Sequence, residues 1–414
     1  MSGGSKPPKD RINGVFVLFL TLLFPYFLSN FYRPFFAVMA PDLSRDLGLD
    51  AAGLASLQAA FLLAFAAAQF PVALSLDRFG PRRIMILGLS AAVTGGVLFS
   101  ASDQAWQALV AMALLGAGFS PVMMAGFYTI GRLYPVKKFA GLSTLLFGLG
   151  TLGDPLSGAP LSLAIAMFGW RQTMFGMAAA TALSLLIIIV ILKDPPRIEA
   201  PEGQVSPLMR TKQIFAIRAL WLIMPLAFVS YAVVAAVRGL WIAPYLTQVH
   251  QFDPNAVGLS ATAMGFALAL GGIFYAPLHR LVGDAKVTVA TGVAITVAAW
   301  LALGLLGHLS GPLSLVLLFI VAFFGASFPI VLAHSRAYLP THLFGQGVTM
   351  INLLFFGGAG VGQWLSGRYV KASETVSVAP DVIYGRLFIA FGLILAVALF
   401  IYTFAPSERR SSEV

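Results

Sequence analysis

Three ionisable residues stand within long apolar stretches of the sequence. Arg33 and Arg238 occur in two of these stretches, and Asp154 occurs in a third. Ionisable side chains are costly in hydrocarbon, so those inside membrane segments usually serve a function. A guanidinium presents a planar fork of donors that binds a carboxylate or phosphate through two hydrogen bonds. The two arginines therefore predict a site for a small anion. The alternative is that each side chain extends to the membrane surface or pairs with a helix end.

Polar and aromatic residues accompany the two arginines at helical spacing. Tyr26 and Asn30 fall on the same helix face as Arg33, at steps of four and three residues. We predict that seven further residues line the solute site: Tyr26, Asn30, Tyr32, Tyr128, Tyr231, Trp241 and Asn352. For the aromatic residues the alternative is anchoring at the membrane interface. Tyr128 and Asn352 could instead bond to a neighbouring helix.

Two residues are candidates for carrying a proton. Asp154 is the only acidic residue that we place inside an apolar segment. Burial opposes the charge of a carboxylate, whereas a nearby arginine favours it, so Asp154 is either a proton carrier or a member of a structural ion pair. His334 titrates near neutrality, although it lies close to the end of its apolar stretch.

The composition indicates that lipid is the solvent of this chain. Of its 414 residues, 59% are hydrophobic and only 10% are charged, whereas about a quarter are charged in a typical soluble domain. In hydrocarbon every backbone polar group must bond within its own segment, which favours helices. The sequence therefore predicts an all-α membrane protein. It contains no cysteine, which excludes disulfides and thiolate metal sites.

The apolar stretches divide into two sets of six. We predict transmembrane helices near 14–41, 53–76, 83–101, 106–131, 139–166, 170–192, 218–248, 255–281, 287–308, 312–338, 344–369 and 383–404. A polar linker at 193–217 separates a first bundle, 1–192, from a second, 218–414. Arg33 precedes Gly53 by twenty residues, and Arg238 precedes Gly258 by the same number. Matched spacings predict two pseudo-symmetric bundles that place the two arginines on opposite walls of one cavity.

Basic residues are concentrated in alternate loops. One side of the predicted bundle carries Lys6, Lys9, Arg11, Arg78, Arg82, Arg83, Arg132, Lys137, Lys138, Lys193, Arg197, Arg210, Lys212, Arg218, Arg280, Lys286, Arg336, Arg409 and Arg410. The other side carries only Arg45, Arg171, Arg368, Lys371 and Arg386. This positive-inside pattern predicts that both termini are cytoplasmic. The net charge of +10 thus reflects topology rather than a nucleic-acid partner, and the short loops suit a bacterial inner membrane.

The loop after the second helix carries a recognisable motif. Residues 73–83 read ALSLDRFGPRR, in which Asp77, Arg78, Gly80, Arg82 and Arg83 are the characteristic positions. This loop resembles the signature loop of the major facilitator superfamily, with Ala73 and Pro81 as departures. The resemblance implies a twelve-helix transporter whose loop acts as a latch between the two bundles when the outside is closed off.

The two arginines support a narrower resemblance. A helix-one arginine after a tyrosine, with a second arginine in helix seven, is similar to the organic-anion and organophosphate carriers of the superfamily. This resemblance implies that Arg33 and Arg238 bind the anionic head of the solute. Proton-coupled sugar-acid members have an acidic residue before the first arginine, whereas Tyr32 stands there in this chain.

The sequence predicts a secondary transporter of a small organic anion, a carboxylate or phosphate ester, that works by alternating access. Proton symport and anion exchange both remain open, so its partners are the solute, protons or a counter-anion, and membrane lipids. The alternatives are a drug or metabolite exporter that uses Asp154 and a transporter-like receptor. An enzyme is not expected, because no cluster of nucleophile, base or metal ligands occurs. We expect no cofactor, no bound metal and a monomer.

Overall fold

The computed structural model describes residues 9–134, 136–194, 207–340 and 343–407. Within these ranges, the side chains of residues 9–15, 77, 136–140, 207–208, 210, 276 and 344–345 are outside the description. The described chain is helical, and no strand occurs in it. The prediction of an all-α membrane protein is confirmed.

The described chain forms twelve successive helical segments. Ten are single long stretches: segment 2 Ala51–Phe79, segment 3 Pro81–Ser100, segment 4 Ala105–Leu133, segment 6 Trp170–Ile191, segment 7 Arg218–His250, segment 8 Pro254–Val282, segment 9 Ala285–Leu309, segment 10 Gly311–Arg336, segment 11 Phe344–Thr375 and segment 12 Pro380–Tyr402. Segment 1 consists of Lys9–Phe31 and Phe36–Leu47, and segment 5 of Val136–Thr151, Gly153–Leu156 and Ala159–Phe168. A short helix, Pro207–Phe215, lies in the described part of the linker.

Several segments extend past their predicted ends. Segment 1 was expected to end at residue 41 but runs to Leu47, and segment 11 was expected to end at residue 369 but runs to Thr375. These extensions carry charged residues. Hydropathy ends the predicted span at such residues, although the helix itself continues past them. At the start of segment 2, Asp50 accepts a bond of 2.7 Å from the Gly53 amide and caps the helix.

Three segments are irregular near the middle of the bundle. Segment 1 breaks at 32–35, where it contains Pro34 and bends by 53°. Segment 5 breaks on both sides of its four-residue middle helix. Segment 7 contains a π-helical turn, Val237–Trp241, of a kind that often marks a functional site. The three ionisable residues singled out above lie in these irregular stretches.

The two sets of six segments meet at one end of the bundle. We call the end where segment 6 stops and segment 7 begins the linker end, and the opposite end the far end. Near the far end, a Cβ atom on Gly367 would lie 2.1 Å from that of Ala55, so segments 2 and 11 are in close contact. The Thr262 hydroxyl of segment 8 accepts a bond of 2.7 Å from the Ala159 amide and donates one of 3.1 Å to the Pro155 carbonyl. The far end is therefore closed.

Candidate functional site

A small cleft at the centre of the bundle is lined by both predicted arginines. Arg33, Gln58 and Asp154 contribute to it from segments 1, 2 and 5, and Tyr231 and Arg238 from segment 7. Because segments 1 to 6 and 7 to 12 form its opposite walls, the cleft lies between the two halves. The irregular turns described above place the charged side chains there.

Arg238 forms a buried ion pair with Asp154 of the other half. The side chain of Arg238 is only 4% exposed, and that of Asp154 is 17% exposed. The Arg238 guanidinium also donates to the Asp154 backbone carbonyl at 3.0 Å and to the Ala261 carbonyl at 3.3 Å. Gly265 leaves the space for this pair, since a Cβ there would lie 2.8 Å from an Arg238 nitrogen. The pair joins segment 7 to segments 5 and 8.

Arg33 has a different environment from Arg238. Its guanidinium donates to the Asn30 side-chain carbonyl at 3.1 Å and stands 5.1 Å and 4.9 Å from the ring centres of Phe65 and Phe356. Aromatic faces attract a cation but do not neutralise it. No carboxylate forms a salt bridge with Arg33 among the residues that the structure describes. Its charge is therefore available to an anion in the cleft.

The repeat explains why the two arginines differ. Arg33 and Arg238 are 205 positions apart, and the same offset from Asp154 leads to Ala359 in segment 11. The position in the second half that would supply a counter-charge to Arg33 thus carries a methyl group. Within the described cleft the two arginines and one aspartate leave an excess of one positive charge. The site is suited to one negative charge on the solute.

Two glutamines that our sequence analysis did not identify support the arginines. Gln58 donates at 2.7 Å to the Arg33 carbonyl, which the break in segment 1 leaves free. Gln363 donates at 3.1 Å and 3.4 Å to the carbonyls of Ala235 and Ala236, beside the π turn. Each glutamine thus satisfies backbone acceptors where its own half is irregular. A polar residue in an apolar segment was a visible signal for both.

Three other predicted residues lie at or next to the cleft. Tyr231 lines it and packs edge to face with Phe328 and Phe356. Asn30 is buried directly behind Arg33 and donates to the Tyr26 carbonyl at 2.9 Å. Tyr26 is 1% exposed, and its hydroxyl lies 3.6 Å from a methionine sulfur. Asn30 and Tyr26 therefore support Arg33 from behind in this state.

Tyr32 and Trp241 lie inside their own halves, away from the lining of the cleft. Tyr32 is fully buried with its ring centre 4.9 Å from that of Phe119. The Trp241 indole is 1% exposed and donates to the Ser366 hydroxyl at 2.8 Å. The packing does not support a direct solute contact for either side chain. Trp241 ends the π turn, which shifts it from the face that regular spacing from Arg238 predicts, and Tyr32 directly precedes Arg33 and so points to another side of the helix.

Tyr128 and Asn352 are bonded to other side chains. The Tyr128 hydroxyl accepts a bond of 2.9 Å from Arg132, one turn further along segment 4. Asn352 donates to the Gln69 side-chain carbonyl at 2.6 Å and so joins segment 11 to segment 2. Asn352 thus makes the alternative contact that we considered, a bond to a neighbouring helix, whereas Tyr128 is bonded within its own helix.

His334 is far from Asp154 along the bundle and lies within the second half. It is fully buried, and its Nδ1 atom lies 2.7 Å from the Tyr402 hydroxyl. Its Nε2 atom lies 3.2 Å from the Pro406 carbonyl, so the histidine holds the chain after segment 12. These contacts favour a structural role at the linker end over a role in the cleft.

The sequence profile described as Major Facilitator Superfamily matches residues 18–363 of the chain. The protein belongs to the major facilitator superfamily. A "probable nitrate/nitrite transporter" of Mycobacterium tuberculosis is 26% identical over 56% of this chain and 58% of its own length. A "probable sulfoacetate transporter" of Cupriavidus necator is 22% identical over 67% and 69% of the two chains. A "probable L-galactonate transporter" of Escherichia coli is 24% identical over 61% of this chain and 59% of its own length. The family and these relatives are transporters rather than enzymes.

Solved structures of the superfamily share the fold. A bacterial homologue of the human lysosomal transporter Spinster superposes with a TM-score of 0.77 at 19% identity and covers 99% of both chains. A D-xylose-proton symporter superposes with a TM-score of 0.79 at 14% identity, over 95% of this chain and 99% of its own. The twelve-helix fold of the superfamily predicted from the sequence is therefore confirmed.

The superfamily signature loop is bound to its own half in this structure. The Arg82 amide donates to an Asp194 carboxylate oxygen at 2.8 Å, and the Arg82 guanidinium donates to the Ile189 carbonyl at 2.8 Å. Gly80 has a φ of +83° and leaves room for Asp194, since a Cβ would lie 2.5 Å from that oxygen. Arg78 and Arg83 are exposed, and the Asp77 side chain lies outside the described residues. The described contacts of the loop do not cross to the second half, so its role as a latch between the halves stays a prediction.

A solvent-exposed ion pair joins the halves at the far end. Lys371 of segment 11 contacts the Asp50 carboxylate at 2.7 Å, with side-chain exposures of 51% and 45%. The hydrogen bond from Lys371 lowers the pKa of Asp50 below its ordinary value. Asp50 also caps segment 2, so one carboxylate both starts a helix and closes the interface.

Proposed function

We propose that this protein is a secondary active transporter that moves a small organic monoanion across the membrane by alternating access. The observation that carries the proposal is the Arg33 guanidinium, which lines the central cleft without a salt bridge to any carboxylate of the described chain. A planar guanidinium in a low-dielectric cleft binds a carboxylate or phosphate through paired hydrogen bonds. The relatives are named as probable transporters of nitrate or nitrite, sulfoacetate and L-galactonate, which supports an anionic solute.

The Asp154–Arg238 pair supplies a means of coupling. It links segment 5 of the first half to segment 7 of the second, so the halves cannot separate at this point while the pair is intact. Either a proton on Asp154 or a solute anion on Arg238 would release the tie. The first route corresponds to proton symport and the second to anion exchange. Because Asp154 is already paired with an arginine, a cationic drug would have to compete for it, which disfavours the exporter.

The proposed setting is the bacterial inner membrane with both termini cytoplasmic. The positive-inside rule supports this orientation, because the linker end carries most of the basic residues. The far end, closed by Lys371 and Asp50, then faces outward, and the described state is closed to the outside. The protein would act as a monomer, with lipids as its remaining partners.

Uptake into proteoliposomes tests the proposed function. We expect the purified protein to transport one or more small organic anions, carboxylates or phosphate esters, and not their neutral or cationic analogues. Arg33→Gln should lower kcat/KM for the anion about 100-fold or more, because the charge of the solute would then lie in the cleft without its positively charged partner. The control is Arg45→Gln, which removes an exposed arginine of the far end and should leave uptake unchanged. Undiminished anion uptake by Arg33→Gln, or transport of neutral solutes alone, would overturn the proposal.

A further inference from the structure

Gln58 presents a buried acceptor that no described group satisfies. Its side chain lines the cleft and is only 1% exposed. The side-chain nitrogen is committed to the Arg33 carbonyl at 2.7 Å, which fixes the orientation of the amide. The side-chain oxygen, Oε1, is buried and has no hydrogen-bond partner in the described chain. A buried carbonyl without a donor is costly, so its position at a ligand cleft is informative.

Gln363 offers a comparison within the same chain. Its side-chain nitrogen also satisfies backbone carbonyls, and its Oε1 is also buried without a partner. The nitrogens of Gln58 and Gln363 would both lie 3.1 Å from a Cβ on Gly239, so the two amides flank the same backbone position. Gln58 lines the cleft, whereas Gln363 is fully buried behind segment 7. Only the first amide is therefore placed to meet a solute.

The Arg33 guanidinium and the Gln58 Oε1 atom belong to residues that are neighbours in the cleft. Gln58 bonds to the backbone of Arg33 itself, so a solute held by the Arg33 guanidinium lies near Gln58. An acceptor cannot bind an oxyanion, which has only lone pairs to offer. It can accept a hydrogen bond from a hydroxyl or N–H group carried by the same solute. A site built to bond such a group discriminates strongly against analogues that lack it.

We propose that Gln58 is a specificity-determining residue that selects monoanions bearing a hydroxyl or N–H donor close to the anionic group. The proposal rests on the proposed function and refines its substrate class to hydroxy acids and acids that carry an amide N–H. Simple oxyanions and unsubstituted carboxylates leave Oε1 unsatisfied and bind more weakly. The donor keeps its proton, and no covalent step is involved.

Matched solute pairs test the proposal by competition for binding and by uptake. Each pair differs by one hydroxyl: acetate and glycolate, propionate and lactate, butyrate and 3-hydroxybutyrate. We expect the wild-type protein to favour the hydroxylated member of the pair that it accepts by tenfold or more. Gln58→Met keeps the length of the side chain but removes the acceptor, and should reduce this preference to about twofold or less.

Gln363→Met is the control, because it removes the same amide from a residue that supports segment 7 but does not line the cleft. Its transport rate can fall, yet the preference for the hydroxylated solute should stay at the wild-type value. Equal affinity of the wild-type protein for both members of a pair, or an unchanged preference in Gln58→Met, would overturn the inference while leaving the anion function intact. A wild-type protein that binds no monoanion of the set, and takes neutral solutes instead, would overturn the proposed function itself.

Discussion

At the scale of single residues, we propose two roles for Asp154 that can be separated by substitution. Its carboxylate neutralises Arg238 and ties the halves together. A proton bound to this carboxylate would release Arg238. We predict that Asp154→Asn abolishes proton-driven accumulation of the anion but spares exchange down a gradient, because the amide cannot cycle a proton. The measurement is uptake into proteoliposomes with and without an imposed pH gradient.

The control for this prediction is His334→Gln. The histidine holds Pro406 and Tyr402 at the linker end, so its replacement should leave the response to a proton gradient in place. If Asp154→Asn accumulates solute with an undiminished response to that gradient, Asp154 is structural, and exchange without protons becomes the better account.

The charged residues of the site could be predicted from the sequence, whereas the two glutamines that support them were not identified. Arg33, Arg238 and Asp154 were found because charge is rare in hydrocarbon, and each lies at the cleft. Gln58 was visible as a polar residue in an apolar segment, but its importance depends on a carbonyl freed by the break in segment 1, which the sequence does not reveal. The position of Trp241 differs from the predicted one because regular spacing was assumed through the π turn.

At the scale of the element, the π turn of segment 7 has little room for change. Gly239 lies between the amides of Gln58 and Gln363, and a Cβ would be 3.1 Å from both nitrogens. We predict that Gly239→Ala lowers the transport rate about tenfold, since small displacements of positioning groups are costly. The matched control is Gly272→Ala in segment 8, where a Cβ meets nothing within 4 Å. Transport rates and thermal stability would be compared, and equal rates for the two variants would contradict the prediction.

At the scale of the whole molecule, the far end should open more readily when its exposed ion pair is removed. We predict that Lys371→Gln increases the rate at which a cysteine at Ala51 is labelled from the outside by about two- to fivefold. The change is small because an exposed ion pair contributes little stability. The chain has no native cysteine to interfere. Arg45→Gln removes an exposed pair within one half and serves as the control. A labelling rate that Lys371→Gln leaves unchanged would count against the pair as a gate.

The same gate has a pH dependence of defined sign. The pKa of Asp50 is lowered by Lys371 in the closed state. The contribution of the pair is therefore complete above the ordinary pKa of an aspartate and is lost as the pH falls through the lowered value. Labelling at Ala51, divided by the labelling rate of an exposed cysteine at the same pH because the reactive thiolate becomes scarcer in acid, should rise in that acidic range, and Lys371→Gln should abolish the rise.

The overall architecture could be predicted more fully than the state of the molecule. Hydropathy gave twelve segments, and matched spacings around Arg33 and Arg238 gave two related halves. Neither signal reports which end is closed, because closure depends on side chains from different halves, such as Lys371 and Asp50. Segment 5 shows the same limit for a single helix, since Thr262 across the interface bonds both sides of its second break, between Leu156 and Ala159.

The unequal turns of segments 1 and 7 imply a polarity for the bound solute. Eight positions separate Arg33 from Pro41, but only six separate Arg238 from Pro244, so the two copies of the repeat bend by different means. One wall then offers an open guanidinium with an amide beside it, and the other offers a guanidinium already held by Asp154. A solute between unlike walls cannot bind equally well in both directions. Its anionic head should face segment 1, and the rest of the molecule should point towards segment 7.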